Sequence, residues 1–305
     1  AQRRYGSTVL ENADKILFMP DALTYMLTGE AVCEYTIAST SQILNPVTGD
    51  LDEQLLASLG LKRSQFGRIV QPGEVVGILT PQVRKATGLG PVKVVAVAGH
   101  DTASAVVSVP ARDSQFAYLS CGTWSLMGIE SPTPIITDES FKQNFTNEGG
   151  IDGTTRFLKN ITGMWILEQC RREWASQGVE YSYPQLVTMA QSVCGKPEYL
   201  FNPDEPRFAN PVNMLSEVKG TFRMSDAEII WTIYNSLAHR YGEVFQMMQS
   251  LAPWPIEVLY VIGGGAQNEY LMDLTQKATG VPVIAGSSEA TAMGNIMVQQ
   301  MNNDK

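Results

Sequence analysis

The clearest periodic pattern in the chain lies between residues 226 and 250. Apolar side chains recur there at helical spacing and form one stripe, made of Ile229, Ile230, Ile233, Leu237, Tyr241, Val244, Phe245 and Met248. Ser225 precedes the stripe and Glu228 follows three residues later, which is the spacing of a capping box at a helix N-terminus. The pattern therefore predicts a long helix whose apolar face lies in the core.

Shorter apolar runs alternate with helical patterns towards the end of the chain. Residues 257–262 and 282–285 predict strands, and 268–279 and 289–300 predict helices. A strand–helix–strand–helix order is typical of a parallel sheet. Upstream, two strands within 116–130 meet at the turn 120–123, and a further strand is predicted at 154–158. The pattern therefore predicts an α/β fold.

The first hundred residues show weaker patterns. They predict a helix at 21–27 that ends at Gly29, and a second helix at 102–109. Between them, 91–98 is a continuous run rich in valine, which predicts a strand buried on both faces. The pattern of apolar and polar residues changes after Pro110, and we place a domain boundary near residue 112. The predicted domains are 1–112 and 113–305.

Composition and charge narrow the classes of function. The 305 residues are 44% apolar and 17% charged, which is typical of a globular protein. A formal charge of −9 opposes non-specific binding to nucleic acid, because a phosphate backbone would be repelled. The longest apolar runs are far shorter than the roughly 20 residues of a membrane helix. We therefore expect neither a nucleic acid nor a membrane partner.

The cysteines and the chain start give two further expectations. The four cysteines are scattered at Cys33, Cys121, Cys170 and Cys194, without the spacing of a metal site or a disulfide framework. We expect free thiols, no protein-held metal and a cytoplasmic location. The chain opens on Ala-Gln-Arg-Arg, and we expect it to be a piece of a longer protein.

Candidate chemistry first appears in the segment 98–102, where glycine follows the predicted strand at 91–98. Asp101 stands at the mouth of that strand, where a carboxylate can accept a proton from a substrate hydroxyl. The alternative is that Asp101 only caps the helix that follows. Its neighbour His100 is either a ligand contact or a structural histidine.

Two more glycine-containing strand ends follow. The turn Ser120-Cys121-Gly122-Thr123-Trp124-Ser125 can direct backbone amides and the Thr123 hydroxyl towards phosphate oxygens, or it is an ordinary hairpin turn. Gly263-Gly264-Gly265 precedes a helix, which allows a nucleotide to approach the backbone closely. The run lacks the GxGxxG spacing of a dinucleotide site. Small residues in 286–295 would let the last helix lie close to the sheet or the nucleotide, or they only allow close helix packing.

Taken together, in their order and spacing, these segments resemble the FGGY family of carbohydrate kinases. Within that family they are most similar to the kinases of L-rhamnulose, because the His-Asp-Thr and Gly-Thr-Trp-Ser forms differ from those of glycerol, xylulose and gluconate kinases. The segments that carry the resemblance are 19–21, 27–29, 100–102, 120–125, 146–150, 157–161, 202–208 and 263–268. They extend over nearly the whole chain.

The resemblance implies an actin-like (ribonuclease-H-like) fold, with part of a sugar-binding first lobe and a nucleotide-binding second lobe. It implies ATP and Mg²⁺ as cofactors, and the phosphorylation of the 1-hydroxyl of L-rhamnulose in rhamnose catabolism. Asp101 would be the general base, and the sugar would be contacted by His100, Thr102 and Asn160. The nucleotide would be contacted by Gly122, Thr123, Gly264, Gly265, Gln267 and Asn268.

Some points depart from the family pattern or stay open. Relatives carry Gln where this chain has Glu168, and a carboxylate there would repel a polyphosphate unless a cation intervenes. The family's first phosphate loop, of the Asp-x-Gly-Thr kind, is absent, so we expect the 305 residues alone to bind and phosphorylate poorly. Another ketose, such as fuculose or xylulose, and a non-catalytic actin-like nucleotide module remain alternatives. The oligomeric state is not indicated.

Overall fold

The computed structural model describes residues 6, 8–111, 113–193 and 199–303. These residues form thirteen α-helices and ten β-strands. The helices are α1 Val9–Asn12, α2 Met19–Thr28, α3 Tyr35–Ser39, α4 Glu53–Ser58, α5 Pro81–Thr87, α6 Asp101–Val107, α7 Asp138–Lys142, α8 Trp165–Ser176, α9 Tyr183–Gln191, α10 Met214–Lys219, α11 Asp226–Leu251, α12 Glu269–Thr279 and α13 Ala290–Asn303. The strands are β1 Val32–Glu34, β2 Arg68–Val70, β3 Val75–Ile78, β4 Lys93–Val95, β5 Phe116–Cys121, β6 Trp124–Ser131, β7 Thr146–Gly149, β8 Thr155–Thr162, β9 Val258–Ile262 and β10 Val283–Ala285.

A six-stranded sheet forms the centre of the second half of the chain. Its strand order is β10-β9-β5-β6-β8-β7. The strands β10, β9 and β5 run parallel, whereas β6, β8 and β7 join by antiparallel pairing. The predicted parallel pair near the C-terminus and the predicted hairpin at 116–130 are therefore confirmed.

One face of this sheet packs on the main hydrophobic core. The predicted long helix is α11, and Ser225 and Glu228 form the capping box at its start. All eight residues of its predicted apolar stripe are buried in that core. Burying such a stripe stabilises the helix more than its intrinsic propensity does.

The opposite face of the sheet is covered by α6 and α13. Tyr118 and Tyr260 of the sheet pack there against Ala105 of α6 and Ala290 of α13. The small residues predicted in the last helix allow this packing. A Cβ added at Gly294 would overlap the main-chain carbonyl of Ser104 in α6, so α13 lies directly against α6.

The first hundred residues carry only small sheets among the described residues. β1 pairs with β2 in parallel, and β3 pairs with β4 in antiparallel. The prediction of a strand buried on both faces at 91–98 is wrong, because β4 has three residues and its Lys93 is exposed. Among the residues that the structure describes, β4 has one partner strand, so its other edge has no ladder there. The predicted helices at 21–27 and 102–109 are confirmed as α2 and α6.

Three remaining expectations concern the chain as a whole. The predicted domain boundary falls on residue 112, which lies outside the described residues, and it stays a prediction. Cys33, Cys121 and Cys170 are buried free thiols, and Cys194 lies outside the described part. In the ranges the structure describes, no helix is both long and apolar enough to cross a bilayer.

Candidate functional site

Asp101 is the first residue of α6, and its carboxylate is open to solvent. Its side chain is 78% exposed, and one oxygen accepts a hydrogen bond from the Thr102 amide at 2.6 Å. His100 occupies the N-cap position of α6 without a side-chain bond to the helix. Asp101 thus satisfies one amide of the first turn of α6 without occupying the N-cap position, and its exposed carboxylate can still be reached by a ligand.

The backbone before α6 is held by Glu34, a buried carboxylate that also caps α3. One Glu34 oxygen accepts the Gly99 amide at 2.9 Å. The hydroxyl of Thr36, at the start of α3, accepts the His100 amide at 3.1 Å. Burial raises the pKa of Glu34, and its hydrogen bonds from main-chain and hydroxyl groups act in the opposite direction. The turn that presents the candidate base is therefore fixed to an element distant in sequence.

His100 lies between Asp101 and two charged residues of the large sheet. Its Nε2 is 3.6 Å from an Asp101 oxygen, and its Nδ1 is 3.0 Å from Nη2 of Arg156. A Glu148 oxygen lies 3.7 Å from the same Nδ1. Burial lowers the pKa of His100, and the Arg156 charge lowers it further, while Glu148 and Asp101 oppose this. His100 is thus part of a charged cluster around the candidate base.

The other predicted sugar contacts lie in different surroundings. Thr102 is buried, and its hydroxyl is 3.3 Å from an Asp101 oxygen. The Thr102 side chain therefore contacts the Asp101 carboxylate. Asn160 is exposed on β8 and lies on the same sheet face as Arg156, because side chains alternate along a strand. Asn160 is thus available to a ligand on the face that carries α6.

A cavity of about 950 Å³ opens at the carboxyl ends of β5 and β9. Strand ends of this kind leave backbone groups free to hold a ligand. Three chain segments that are far apart in sequence meet in its wall. Among the lining residues are all six that were predicted to contact a nucleotide, Gly122, Thr123, Gly264, Gly265, Gln267 and Asn268.

The hydrogen-bond donors of this cavity differ in part from the prediction. The Gly122 amide donates to the Trp124 carbonyl at 3.0 Å, so it is not free for a phosphate oxygen. Gly264 and Gly265 open a 3₁₀ turn, where the first N–H groups have no intrahelical partner. A Cβ at Gly265 would overlap the Cys121 sulfur. That position therefore requires glycine.

The wall of the cavity opposite the glycines comes from α8 and α9. Met164 and Trp165 line it and also pack against the main hydrophobic core. Glu168 also lines it. Arg171 pairs with that carboxylate at 3.1 Å, and the Tyr183 hydroxyl donates to it at 2.8 Å. Arg171, on the same helix, thus supplies the positive charge that was expected beside Glu168.

Hydrogen bonds connect the glycine-rich turn with the start of α6. The Gly263 amide donates to the Ser287 carbonyl at 3.1 Å, in the loop after β10. A few residues later, the hydroxyl of Thr291 donates to the Asp101 carbonyl at 3.3 Å. Through the loop that leads into α13, the carboxylate and the cavity therefore belong to one connected region of the fold.

Sequence reasoning missed Glu34, Glu148 and Arg156, which surround the segment 99–101. One signal was present for two of them. Asp152-Gly153 is a typical two-residue hairpin turn, and both residues have positive φ. A strict two-residue turn there would pair Glu148 with Phe157, whereas the structure pairs Glu148 with Arg156 across β7 and β8. The turn therefore indicated the hairpin but not its register.

Comparisons with known proteins give the same picture over the whole chain. The family described as "FGGY family of carbohydrate kinases, C-terminal domain" matches residues 117–302, and the N-terminal domain of the same family matches residues 4–108. A Rhamnulokinase of Bacteroides thetaiotaomicron is 53% identical over 306 residues, and one of Bacillus subtilis is 40% identical over 300. The alignments cover 98% and 96% of this chain, and the chain spans 62% and 61% of those relatives.

Solved structures resemble the chain at low sequence identity. A ligand-bound xylulose kinase from Lactobacillus acidophilus matches with a TM-score of 0.80 at 17% identity. It covers 99% of this chain, which spans 62% of it. A glycerol kinase of Plasmodium falciparum with ADP matches with a TM-score of 0.71 at 14% identity, over 93% of this chain and 57% of its own length. At such identities the likeness concerns the fold alone.

Proposed function

This chain belongs to the FGGY family of carbohydrate kinases, and from that premise we propose that it serves the ATP-dependent phosphorylation of the 1-hydroxyl of L-rhamnulose. The choice of sugar is supported by relatives called Rhamnulokinase at 53% and 40% identity. The observation that carries the chemistry is the exposed carboxylate of Asp101. It lies in the same region as a cavity with free main-chain donors.

Asp101 acts as the general base of this reaction. Its carboxylate accepts the proton of the sugar hydroxyl while that oxygen forms a bond to the γ-phosphorus. The bond from the γ-phosphorus to its bridging oxygen breaks, and ADP leaves. A carboxylate fixed at a helix start suits this role, because positioning supplies much of the rate in phosphoryl transfer.

The cavity at the ends of β5 and β9 holds ATP. Main-chain N–H groups of Gly264 and Gly265 donate to phosphate oxygens, and the hydroxyl of Thr123 adds a side-chain donor. Gly122 contributes the shape of the turn rather than its amide, which is already bonded. Gln267 and Asn268 contact the nucleotide from the following turn.

Magnesium accompanies the nucleotide in this proposal. Across the described ranges, no group of three His, Cys, Asp or Glu side chains is placed to hold a metal ion. In this proposal Mg²⁺ is bound mainly by the triphosphate. Its chemical contribution is to neutralise phosphate charge during transfer.

The free thiols of the described cysteines support a reducing cytoplasm as the location. The partners in this proposal are small molecules, a ketose and ATP. L-Rhamnulose differs from other ketoses in the orientation of its hydroxyl groups or in chain length.

The test is a coupled kinase assay on the protein at its full natural length, with L-rhamnulose, L-fuculose, D-xylulose and glycerol as acceptors. We expect L-rhamnulose to give the highest kcat/KM. Asp101→Asn is expected to lower kcat by roughly 100-fold or more, because the base is lost, with little change in sugar affinity. A different preferred acceptor would refute the sugar assignment. An unchanged rate in Asp101→Asn would remove that residue from its role.

A further inference from the structure

Arg156 of β8 is fully buried although it carries a charge. Its Nε donates to the Gly149 carbonyl at 2.9 Å, and its Nη2 is 3.1 Å from a Glu148 oxygen and 3.0 Å from His100 Nδ1. Burying a charge pair costs desolvation energy that its mutual attraction often does not recover. Stability alone therefore gives no reason for placing this pair beneath His100.

The hairpin geometry determines where the pair lies. Glu148 and Arg156 are directly opposite each other on β7 and β8, so their side chains share one face of the sheet. The hairpin that joins the two strands turns at Asp152-Gly153, where both residues have positive φ. His100 reaches this face from the start of α6, in the segment matched by the N-terminal domain, whereas the pair lies in the C-terminal one. The contact thus joins the two matched domains next to Asp101.

The contact also determines which ring nitrogen of His100 carries the proton. A guanidinium group has five N–H donors and no acceptor. A hydrogen bond from Arg156 therefore requires a lone pair on Nδ1, and the single proton of a neutral imidazole must then sit on Nε2. That nitrogen is the one that lies 3.6 Å from the Asp101 carboxylate.

We propose that Arg156 and Glu148 are positioning residues that hold His100 as a neutral imidazole with its proton on Nε2, directed towards Asp101. Under the proposed function, on which this consequence rests, His100 donates a hydrogen bond to Asp101 or to a sugar hydroxyl beside it. It does not compete with Asp101 as a base, because its only lone pair is occupied by Arg156. The two neighbouring residues thereby have separate tasks.

The surrounding charges support this assignment. The charged groups around His100 are Arg156 from β8, Glu148 from β7 and Asp101 from its own element. Burial and the Arg156 charge lower the pKa of His100, against the opposing effect of the two carboxylates. Glu148 partly neutralises Arg156, so removing either partner changes the field at the imidazole in a known direction.

The test is ¹⁵N NMR of histidine-labelled protein, which reads the tautomer without any need for catalysis. The chain has two histidines, and the exposed His239 provides an internal reference. In the unmodified protein we expect His100 to show a protonated Nε2 and an unprotonated Nδ1 at neutral pH. A His100 with its proton on Nδ1, or one fully charged there, would overturn the proposal.

Two variants should move the His100 pKa in opposite directions. Arg156→Met removes the donor and the positive charge, so Nδ1 is expected to become protonated towards Glu148 and the pKa to rise. Glu148→Gln removes the negative charge and keeps the shape, so the proton should stay on Nε2 and the pKa should fall. If Arg156→Met does not fold, the test rests on Glu148→Gln. An unchanged or raised His100 pKa in that variant refutes the positioning role of the pair.

Glu130→Gln is the matched control, because Glu130 lies opposite Arg156 on the other neighbouring strand, β6. It is not among the charges that act on His100, and we expect this variant to leave the His100 pKa and tautomer unchanged. A shift as large as that in Glu148→Gln would contradict the proposal. A kinase assay that failed would refute the sugar or the base and would leave the tautomer result standing.

Discussion

At the scale of single residues, Asp21 is the least expected feature of the described chain. It lies in the first turn of α2, directly after a proline, where an acidic residue is usually exposed and favourable to the helix dipole. Instead it is buried, and it accepts the Glu34 amide at 3.1 Å. Burial raises the pKa of Asp21 to about 7, with the Glu34 charge as a further cause. The sequence alone could not predict this, because the partner amide comes from another element.

The raised pKa predicts how stability depends on pH. The folded protein holds the Asp21 proton up to about pH 7, whereas the unfolded chain releases it near its ordinary value of 3.8. The contribution of Asp21 to stability is therefore fully present below that ordinary value and is lost as the pH rises to about 7. Asp21→Asn removes the titration, so the variant should gain stability over the unmodified protein progressively across this range.

Urea unfolding at several pH values measures this difference. Asp273→Asn, at an exposed position of α12, is the control for the loss of a surface negative charge, and its difference from the unmodified protein should be smaller. If the difference between Asp21→Asn and the unmodified protein stayed constant from acid to neutral pH, the pKa of Asp21 would be the same in the folded and the unfolded chain, and burial would not raise it.

At the scale of elements, the contact of α13 with α6 depends on one glycine. A side chain at Gly294 would overlap the Ser104 carbonyl, and backbone cannot give way as a flexible side chain can. We expect Gly294→Ala to separate the two helices and to destabilise the fold by about 1–3 kcal/mol. It should also weaken sugar phosphorylation, since Thr291 of α13 contacts the carbonyl of Asp101.

The comparison for that variant is Gly90→Ala. Gly90 has open space around its added Cβ and no positive φ, so the same chemical change should be close to neutral or slightly stabilising. Thermal unfolding of both variants measures the effect. Equal melting temperatures in the two variants would mean that α13 can move away from α6 at no cost.

Elements with a strong pattern were predictable, and elements that depend on distant partners were not. The stripe and capping box of α11 identified its face and its start, because both signals are local. The valine-rich run at 91–98 led to a wrong prediction, because its composition does not reveal how many strands pair with it. Within the described part of the chain, β4 pairs with one strand. The sequence also predicted the turn at Gly122. It did not reveal that the Gly122 amide already donates to the Trp124 carbonyl.

At the scale of the whole molecule, the described residues form the mixed α/β, actin-like fold of the FGGY kinases, as the sequence predicted. The motifs identified the candidate site because they lie at strand ends, where backbone groups are free. They did not reveal the buried charges that hold these motifs in place. Glu34, Glu148 and Arg156 reach the segment 99–101 only through tertiary packing.

In the proposed reaction, the Asp101 carboxylate contacts a sugar hydroxyl opposite a triphosphate that is held by main-chain N–H groups. The most direct measurement is a crystal structure of the full natural length protein with L-rhamnulose and a non-hydrolysable ATP analogue. We expect the sugar 1-hydroxyl to lie within hydrogen-bond distance of the Asp101 carboxylate, and the phosphates to lie beside Thr123, Gly264 and Gly265. A sugar bound away from Asp101, or a triphosphate outside that cavity, would contradict the proposed reaction.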